Sequence, residues 1–407
     1  MSNIMFFCIP AHGHTNPTIG VVRELVKLGH CVRYYSFTEF QEKIEAAGAE
    51  FVACDSYLPP APDDLDEKVG KDFASLIEMV ADTTIALDPL VKEDIAAFHP
   101  DCIISDSVCF WGKLFAWKYQ IPFVCSTTTM AFNQHTAKLM KQSFTEIIRM
   151  FTGMPRIQKK MEYLRQNGYQ IENFVSIIQN DNETNTIVYT SSRFQPMAET
   201  FSKRYLFAGP SVAETSIVPI CPTSARKKRP QIYVSLGTVL NNNIEFYRNC
   251  IKAFSEIDCQ VVLSVGKNTD LSKLGEIPAY FTVLPYVNQL EVLAKSDVFV
   301  THCGMNSVQE SLYLGVPMVL FPQHSEEYAV AHRAEELGTG VRIKRASVKT
   351  LKKAVQEVIK NPQYKKNAME MRENFMQCAG PAGAAAWIEK VIPQKEEKAE
   401  AEDDRAL

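Results

Sequence analysis

The stretch FVTHCGMNSVQESLYLGVPMVLFPQHSEE, residues 299–327, indicates the fold class of the chain. An apolar strand over residues 298–301 leads into a short turn, a helix that begins near Asn306 and a second strand over residues 316–321. In an open α/β sheet, ligands bind beyond the carboxyl ends of the strands, and a helix N-terminus there offers N–H donors and a positive dipole end. The stretch therefore predicts a βαβ unit that can hold a phosphate group.

The side chains around this turn fit a nucleotide. Gly304 lets a phosphate approach the backbone, and Asn306 and Ser307 can cap the helix or bind phosphate oxygens. His302 can donate a hydrogen bond to the same anion. Glu310 follows Asn306 by one helical turn, on the face that can reach the hydroxyl pair of a ribose.

An acidic turn follows the second strand of this unit. Its residues, Glu326 and Glu327, can accept hydrogen bonds from sugar hydroxyls. The simpler alternative is an ordinary βαβ turn with a glycine and a capping asparagine. The HxGxNS pattern, the later glutamate and the PxxxxPxxxEE spacing occur in one register, which favours a nucleotide-sugar site.

The same stretch resembles the nucleotide-sugar signature of the UDP-glycosyltransferase family, the inverting family 1 glycosyltransferases with the GT-B fold. The matching residues are His302, Gly304, Asn306, Ser307, Glu310, Gly315, Pro317, Pro322 and Glu326. The family commonly ends this signature with an acidic residue followed by glutamine, and both bind sugar hydroxyls. Here the second position is Glu327, which can only accept hydrogen bonds, so the choice of donor sugar stays open.

The length of 407 residues suits two domains of about 200 residues each, and the 46% hydrophobic content supports substantial cores. Residues 211–230 contain three prolines and a run of basic residues, a pattern that predicts the linker between the two domains. We therefore expect an N-terminal acceptor-binding domain over residues 1–210 and a C-terminal nucleotide-sugar-binding domain over residues 231–380. The resemblance also implies a final helix, over about residues 381–393, that packs back on the first domain. Residues 394–407 are expected to form a disordered tail.

Composition excludes several classes of partner. The formal net charge of −4 argues against a nucleic-acid partner. The 11 cysteines are odd in number, form no CxxC pair and occur partly in apolar strands, which is typical of reduced thiols in a cytoplasmic protein. The pattern of the N-terminal residues is not the one expected of a signal peptide, and no run of 18 or more apolar residues occurs in the sequence, so membrane insertion is not expected. The oligomeric state stays open.

The N-terminus predicts a second βαβ unit, with a strand over residues 4–9, a helix starting at Pro17 and ending at Gly29, and a strand over residues 31–36. GxGxxG is absent from its first turn, so this is not the dinucleotide fingerprint. The turn instead carries His12 and His14, and a histidine there can act as a general base. Alone, it would more often bond its own backbone.

The motif AHGHTNP around these histidines resembles bacterial members of the family, and the resemblance implies that His14 is the catalytic base. A base of this kind needs a carboxylate to orient its far nitrogen. Asp106, at the end of the strand over residues 101–106, matches the aspartate that pairs with the base in the family. From sequence alone, Asp106 could equally be a helix cap.

The second domain begins with the strand QIYVSLGT, whose end presents hydroxyls and close N–H groups to an anion and resembles the first donor loop of the family. The residues concerned are Ser235, Gly237 and Thr238. Further on, Tyr286 takes the place of the family aromatic residue that stacks on uracil, and the backbone of Val287 takes the place that pairs with the base edge. Gln289 matches the family glutamine. Uridine is therefore the first choice for the nucleoside of the donor, and thymidine nucleotides are not excluded.

Two other patterns have simpler interpretations. Asp64 and Asp66 form a DxD, which elsewhere holds a metal, but they follow prolines in an apparent loop and are interpreted as solvated. The methionines and phenylalanines between residues 130 and 179 are typical of core packing, although some could line an apolar acceptor pocket. SSRFQP and FAGP further along resemble macrolide-type bacterial members.

The resemblance covers nearly the whole chain and implies a GT-B fold, with two facing Rossmann-like doubly wound α/β domains and an interdomain cleft. It implies an inverting transfer of a hexose, first of all from UDP-glucose, to a hydroxyl of an apolar small molecule such as a macrolide or flavonoid. No metal and no cofactor is required. Two alternatives remain, a noncatalytic partner or activator of a true transferase and a sugar-nucleotide epimerase of the same architecture.

Overall fold

The computed structural model describes residues 1–57, 73–136, 144–178, 180, 182–212, 229–237 and 241–392. The chain divides into two compact units. Unit 1 comprises Met1–Ser211 and Ala379–Leu407, and unit 2 comprises Val212–Cys378. Four predicted features lie outside the described residues, namely the Asp64 and Asp66 pair, Thr238, residues 213–228 of the linker and the C-terminal tail.

Unit 1 contains, within its described residues, a seven-stranded parallel sheet in the order β3-β2-β1-β4-β5-β6-β7. The strands are β1 Asn3–Phe7, β2 Cys31–Ser36, β3 Glu50–Ala53, β4 Cys102–Asp106, β5 Phe123–Thr127, β6 Asn185–Val188 and β7 Tyr205–Phe207. The helices are α1 His12–Lys27, α2 Gln41–Glu45, α3 Phe73–Phe98, α4 Phe110–Lys118, α5 Phe144–Gln166, α6 Phe174–Ile178 and, from the C-terminal segment, α13 Gly380–Val391.

The core of unit 1 forms around β1, whose run of apolar residues suits a strand that is covered on both faces. Phe6 stacks on Tyr34 of β2 with ring centroids 4.7 Å apart, and Phe7 stacks on Tyr35 at 4.4 Å. All four rings are buried. Gly29, with φ of 87°, follows α1 in the left-handed conformation that commonly ends a helix.

Helix α13 belongs to unit 1 although it comes from the far end of the chain. Its residues Ala384, Ala385 and Ile388 are fully buried in the same core as β1. Next to them, Nε2 of the buried His30 is 3.0 Å from Oε1 of Glu389. The small side chains let α13 approach α1 closely.

Unit 2 contains, within its described residues, a six-stranded parallel sheet in the order β10-β9-β8-β11-β12-β13. The strands are β8 Gln231–Ser235, β9 Gln260–Ser264, β10 Phe281–Leu284, β11 Val298–Thr301, β12 Met318–Leu320 and β13 Gly340–Arg342. The helices are α7 Ile244–Phe254, α8 Gln289–Leu293, α9 Met305–Tyr313, α10 Ser325–Glu336, α11 Val348–Lys360 and α12 Pro362–Met376.

Cysteines contribute to both cores as small hydrophobic residues. The ten cysteines that the structure describes are free thiols, and eight of them are buried. Burial raises the pKa of Cys8, Cys109 and Cys250, so these thiols stay protonated and unreactive.

Candidate active site

The strand order of unit 1 reverses beside β1. The chain first adds β2 and β3 on one side of β1 and then places β4 on the other side. Open α/β sheets bind ligands at such a switch point, outside the carboxyl ends of the strands. The chain leaves β1 into α1, which carries His14, and β4 ends at Asp106. The topology thus brings these two residues to one edge of the sheet.

Helix α1 begins at His12, so the predicted start at Pro17 was wrong. The backbone N–H groups of His14 and Thr15 already donate to the carbonyl of Ala11 at 3.0 and 2.9 Å. Pro17 lies inside the helix, where it has no N–H to donate to the preceding turn. Both histidines are therefore held in the first helical turn, not in a loop.

His14 and Asp106 form a hydrogen-bonded pair. Nδ1 of His14 is 2.8 Å from Oδ2 of Asp106, and Oδ1 of the same carboxylate accepts from the backbone N–H of Val108 at 2.9 Å. The Asp106 side chain is fully buried, whereas the His14 side chain is 17% exposed. Because a carboxylate can only accept, the proton of the neutral imidazole lies on Nδ1, and Nε2 keeps its lone pair.

Thr128 is a third member of this group that the sequence analysis missed. Its hydroxyl Oγ1 lies 2.9 Å from Nδ1 of His14, and the residue is 2% exposed. It directly follows β5, which pairs with β4 so that Ser126 lies opposite Asp106. A TTT run after an apolar strand does not identify a partner of His14, because the pairing becomes visible only from the strand register.

His12, the other histidine of the motif, has different partners. Its Nε2 is 3.0 Å from Oε1 of Glu39, and both side chains are largely exposed. Its ring packs edge-on against Phe40. The structure therefore distinguishes the two histidines of AHGH, because only His14 meets the buried carboxylate.

Unit 2 has its own switch point, between β8 and β11. Ser235 ends β8 and is buried, and its Oγ accepts from the N–H of Gly237 at 3.2 Å. His302 directly follows β11. Two residues from distant parts of the chain again meet at the carboxyl edge of a parallel sheet, where a ligand is expected.

Two glycines make room for the His302 ring. A Cβ on Gly237 would lie 2.6 Å from both Cε1 and Nε2 of the ring, and a Cβ on Gly304 would lie 2.6 Å from Nε2. Gly237 also has φ of 81°, which any other residue would adopt only with strain. Burial lowers the pKa of His302 to about 4, so the ring is neutral at pH 7.

Helix α9 starts beside this ring, with Gly304 as its N-cap residue. Asn306 and Ser307 lie in its first turn and neither is the N-cap residue, so the predicted capping role was wrong and the phosphate role stays a prediction. An α9 N-terminus, a glycine that permits close approach and an imidazole together form a suitable cradle for a phosphate group. Thr238, the remaining predicted phosphate ligand, is outside the described residues.

Glu310 is tied to Gln289, the first residue of α8. Nε2 of Gln289 donates to Oε2 of Glu310 at 2.7 Å and to Oγ of Ser307 at 3.2 Å. Burial raises the pKa of Glu310, and the hydrogen bond from Gln289 opposes that rise. Tyr286, just before α8, is 71% exposed and leaves a ring face open for stacking, and Val287 follows it.

Comparisons with known proteins identify the family of this chain. Residues 225–398 match the family model described as UDP-glucoronosyl and UDP-glucosyl transferase. An uncharacterized UDP-glucosyltransferase of Bacillus subtilis, YojK, is 32% identical and is aligned over 98% of this chain and 100% of its own length. The chain belongs to this family. The predicted family and glycosyltransferase class are therefore confirmed.

Two further similarities extend over nearly the whole glycosyltransferase. A demethyllactenocin mycarosyltransferase of Streptomyces fradiae is 30% identical over 96% of this chain and 87% of its own length. The crystal structure of the glycotransferase of kitacinnamycin superposes with a TM-score of 0.81 at 27% identity, over 96% of this chain and 99% of the other. With two parallel-sheet α/β units, the enzyme has the predicted GT-B fold.

The last two predicted residues of the glycosyltransferase site, Glu326 and Glu327, lie in a different secondary-structure element from the one predicted. Glu326 and Glu327 lie in the first turn of α10, so the predicted acidic turn was wrong. Oε2 of Glu327 accepts from the backbone N–H of Gln323 at 2.7 Å and of His324 at 3.1 Å. A glutamate at the third helical position commonly caps in this way, but the sequence contains no clear signal, because His324 replaces the serine or threonine that usually begins the capping pattern. Glu326 is exposed.

Two features are absent from the described part of the glycosyltransferase. No three His, Cys, Asp or Glu side chains there are grouped so that they could hold a metal ion. No helix in the same residues has the length and apolar character needed to cross a membrane.

Proposed function

We propose that this glycosyltransferase moves a hexosyl group from a UDP-sugar, with UDP-glucose as the first choice, to a hydroxyl group of an apolar small molecule, with inversion at the anomeric carbon. The acceptor would be a macrolide, a flavonoid or another phenolic compound. The observation that carries the proposal is the hydrogen-bonded pair of His14 and Asp106 at the switch point of unit 1.

His14 acts as the general base. Its Nε2 takes the proton of the acceptor hydroxyl while the acceptor oxygen forms a bond to the anomeric carbon. The bond from that carbon to the UDP oxygen breaks, and UDP leaves with the electron pair. Asp106 stabilises the imidazolium that results, because its carboxylate accepts from Nδ1. General-base catalysis of this kind contributes about 10²- to 10⁴-fold to the rate.

The diphosphate of the donor binds at the N-terminus of α9. His302, Ser307 and the N–H groups that follow Gly304 stabilise the charge that develops on the leaving group. Thr238 adds a hydroxyl to this set. These donors supply the stabilisation that a metal provides in other transferases, so we propose a mechanism that needs no metal and no cofactor.

The nucleoside and the sugar have their own residues. Uracil stacks on the exposed ring of Tyr286, and the backbone of Val287 pairs with the edge of the base. Glu310 and Gln289 recognise the ribose. Glu326 and the second oxygen of Glu327 accept hydrogen bonds from the hexose hydroxyls.

The acceptor class is supported by the relatives. One relative is named a demethyllactenocin mycarosyltransferase, and one solved structure is the glycotransferase of kitacinnamycin. Both names refer to natural products. In unit 1, Met154 and Phe174 are only partly buried against the core, which leaves apolar surface for a ligand of this kind.

Mass spectrometry tests the proposal directly. The full chain is incubated with phenolic and macrolide acceptors and, in turn, with UDP-glucose, UDP-galactose, UDP-N-acetylglucosamine, UDP-glucuronate and a thymidine sugar nucleotide. A mass gain of one sugar supports the transferase and identifies the donor. UDP binding without any mass gain favours the noncatalytic alternative, and a changed sugar nucleotide without transfer favours the epimerase.

The two histidines of AHGH provide a matched pair of variants. His14→Ala should lower the rate at least 100-fold, whereas His12→Ala should stay within a few fold, because His12 pairs with the exposed Glu39 and not with the buried carboxylate of Asp106. Transfer that survives His14→Ala within a few fold contradicts the base assignment. Full loss of activity in chelator contradicts the metal-free mechanism.

A further inference from the structure

The buried side chain of Tyr233 contacts Gln289, one of the two residues that the proposed function assigns to the ribose. The hydroxyl of Tyr233, on β8, donates to Oε1 of Gln289 at 3.1 Å. Tyr233 is 1% exposed, and its ring stacks on Phe299 of β11 with centroids 4.7 Å apart. Burial raises the pKa of Tyr233, so its hydroxyl stays protonated and can donate.

The contacts of Gln289 agree on one orientation of its amide. Its oxygen accepts from Tyr233, while its nitrogen donates to Glu310 and Ser307. In the reversed orientation, the amide oxygen would face the carboxylate of Glu310 at 2.7 Å, and two acceptors at that distance repel each other. Glu310 selects this orientation, and the hydroxyl of Tyr233 adds a third contact that holds the Gln289 amide in it.

We propose that Tyr233 is a positioning residue for the recognition of the donor ribose. It fixes Gln289, and Gln289 fixes the carboxylate of Glu310 to accept hydrogen bonds from the 2′ and 3′ hydroxyls of the nucleotide. The inference rests on the proposed function, in which Glu310 binds the ribose.

The hydrogen bond from Gln289 opposes the effect of burial on the pKa of Glu310. A buried carboxylate tends to take up a proton, and a protonated group accepts fewer hydrogen bonds from a diol. The amide nitrogen of Gln289 favours the ionised form, and an amide that is held in place does so more effectively than one that can rotate. The tyrosine hydroxyl thus acts on the ribose through two other side chains.

The test compares two buried tyrosines of unit 2. Tyr247 is 0% exposed, and its hydroxyl has no hydrogen-bond partner among the described residues. Tyr233→Phe and Tyr247→Phe remove the same atom from equally buried sites. Calorimetry on the full chain then measures the dissociation constants of UDP and of 2′-deoxy-UDP for the parent and for both variants, and thermal unfolding checks that each variant is folded.

Tyr233→Phe should weaken UDP about three- to tenfold, the effect of one hydrogen bond, and should weaken 2′-deoxy-UDP by less, because that nucleotide keeps only the 3′ hydroxyl contact with Glu310. The preference for UDP over 2′-deoxy-UDP therefore shrinks, while Tyr247→Phe keeps it. A Tyr233→Phe variant that binds UDP as the parent does, or that loses both nucleotides equally, overturns the inference.

The parent protein separates this inference from the proposed function. A parent that binds UDP and 2′-deoxy-UDP equally overturns the ribose role of Glu310, and with it that of Tyr233, even if sugar transfer is observed. A parent that binds neither nucleotide overturns the donor site itself.

Discussion

His14 and Asp106 are 92 residues apart in the chain, yet Nδ1 of the imidazole lies 2.8 Å from Oδ2 of the carboxylate. They meet because β1 and β4 are neighbours in the sheet of unit 1. Only the histidine side chain is partly exposed. The pair therefore has a buried member that orients and an accessible member that can meet a substrate.

The first prediction concerns the orienting carboxylate. Asp106→Asn should lower kcat by about 10²- to 10⁴-fold, because an amide nitrogen can donate to Nδ1 and favour the tautomer with its proton on Nε2. Steady-state kinetics with saturating acceptor measures the effect, and thermal unfolding shows whether the variant is folded. A loss of less than fivefold in a folded variant would mean that Asp106 serves only to accept from Val108.

The second prediction concerns Thr128, whose hydroxyl also contacts Nδ1 of His14. As a second acceptor it stabilises the imidazolium, so Thr128→Val should lower kcat/KM about three- to tenfold and move the acidic limb of the pH profile to lower pH. Thr128→Ser keeps the hydroxyl and should retain both. Thr190→Val is the matched control, because the buried hydroxyl of Thr190 has no hydrogen-bond partner in the described residues. A Thr128→Val profile identical to that of the parent would contradict the prediction.

Sequence patterns located the strand ends well and the side-chain partners poorly. The apolar runs of β1 and β11 and the glycines after them identified two βαβ units, because local periodicity is enough for that. Thr128 was missed because its contact with His14 depends on the pairing of β4 with β5. The start of α1 was misplaced because proline is common at the first helical position, whereas here the helical hydrogen bonds already begin at the carbonyl of Ala11.

The third prediction follows from the low pKa of His302. Without a nucleotide, the imidazole of His302 has a pKa of about 4. A diphosphate beside the ring favours the imidazolium and therefore raises this pKa. UDP binding therefore takes up a proton, so affinity rises as the pH falls through the pKa of the complex and levels off below about pH 4, where both forms are protonated.

Calorimetry in two buffers of different ionisation enthalpy measures this uptake. His302→Gln removes the imidazole contribution and leaves the titration of UDP itself, so the difference between parent and variant belongs to His302. His324→Gln is the comparison variant. The electrostatic interaction with His324 also lowers the pKa of His302, so this variant should raise the pKa of His302 in the protein without nucleotide. Equal proton uptake by the parent and by His302→Gln would mean that the imidazole stays neutral beside the diphosphate.

The fourth prediction separates two roles of Glu327, whose Oε2 already accepts two backbone N–H groups at the start of α10. Glu327→Gln keeps an acceptor and should stay within about 0.5 kcal/mol of the parent in free energy of unfolding, whereas Glu327→Ala should lose about 1 kcal/mol. If the second oxygen also binds the hexose, the amide of Glu327→Gln adds a donor there and changes the ranking of UDP-sugars by kcat/KM. The same ranking in a variant of unchanged stability would assign Glu327 to capping alone and leave the sugar to Glu326.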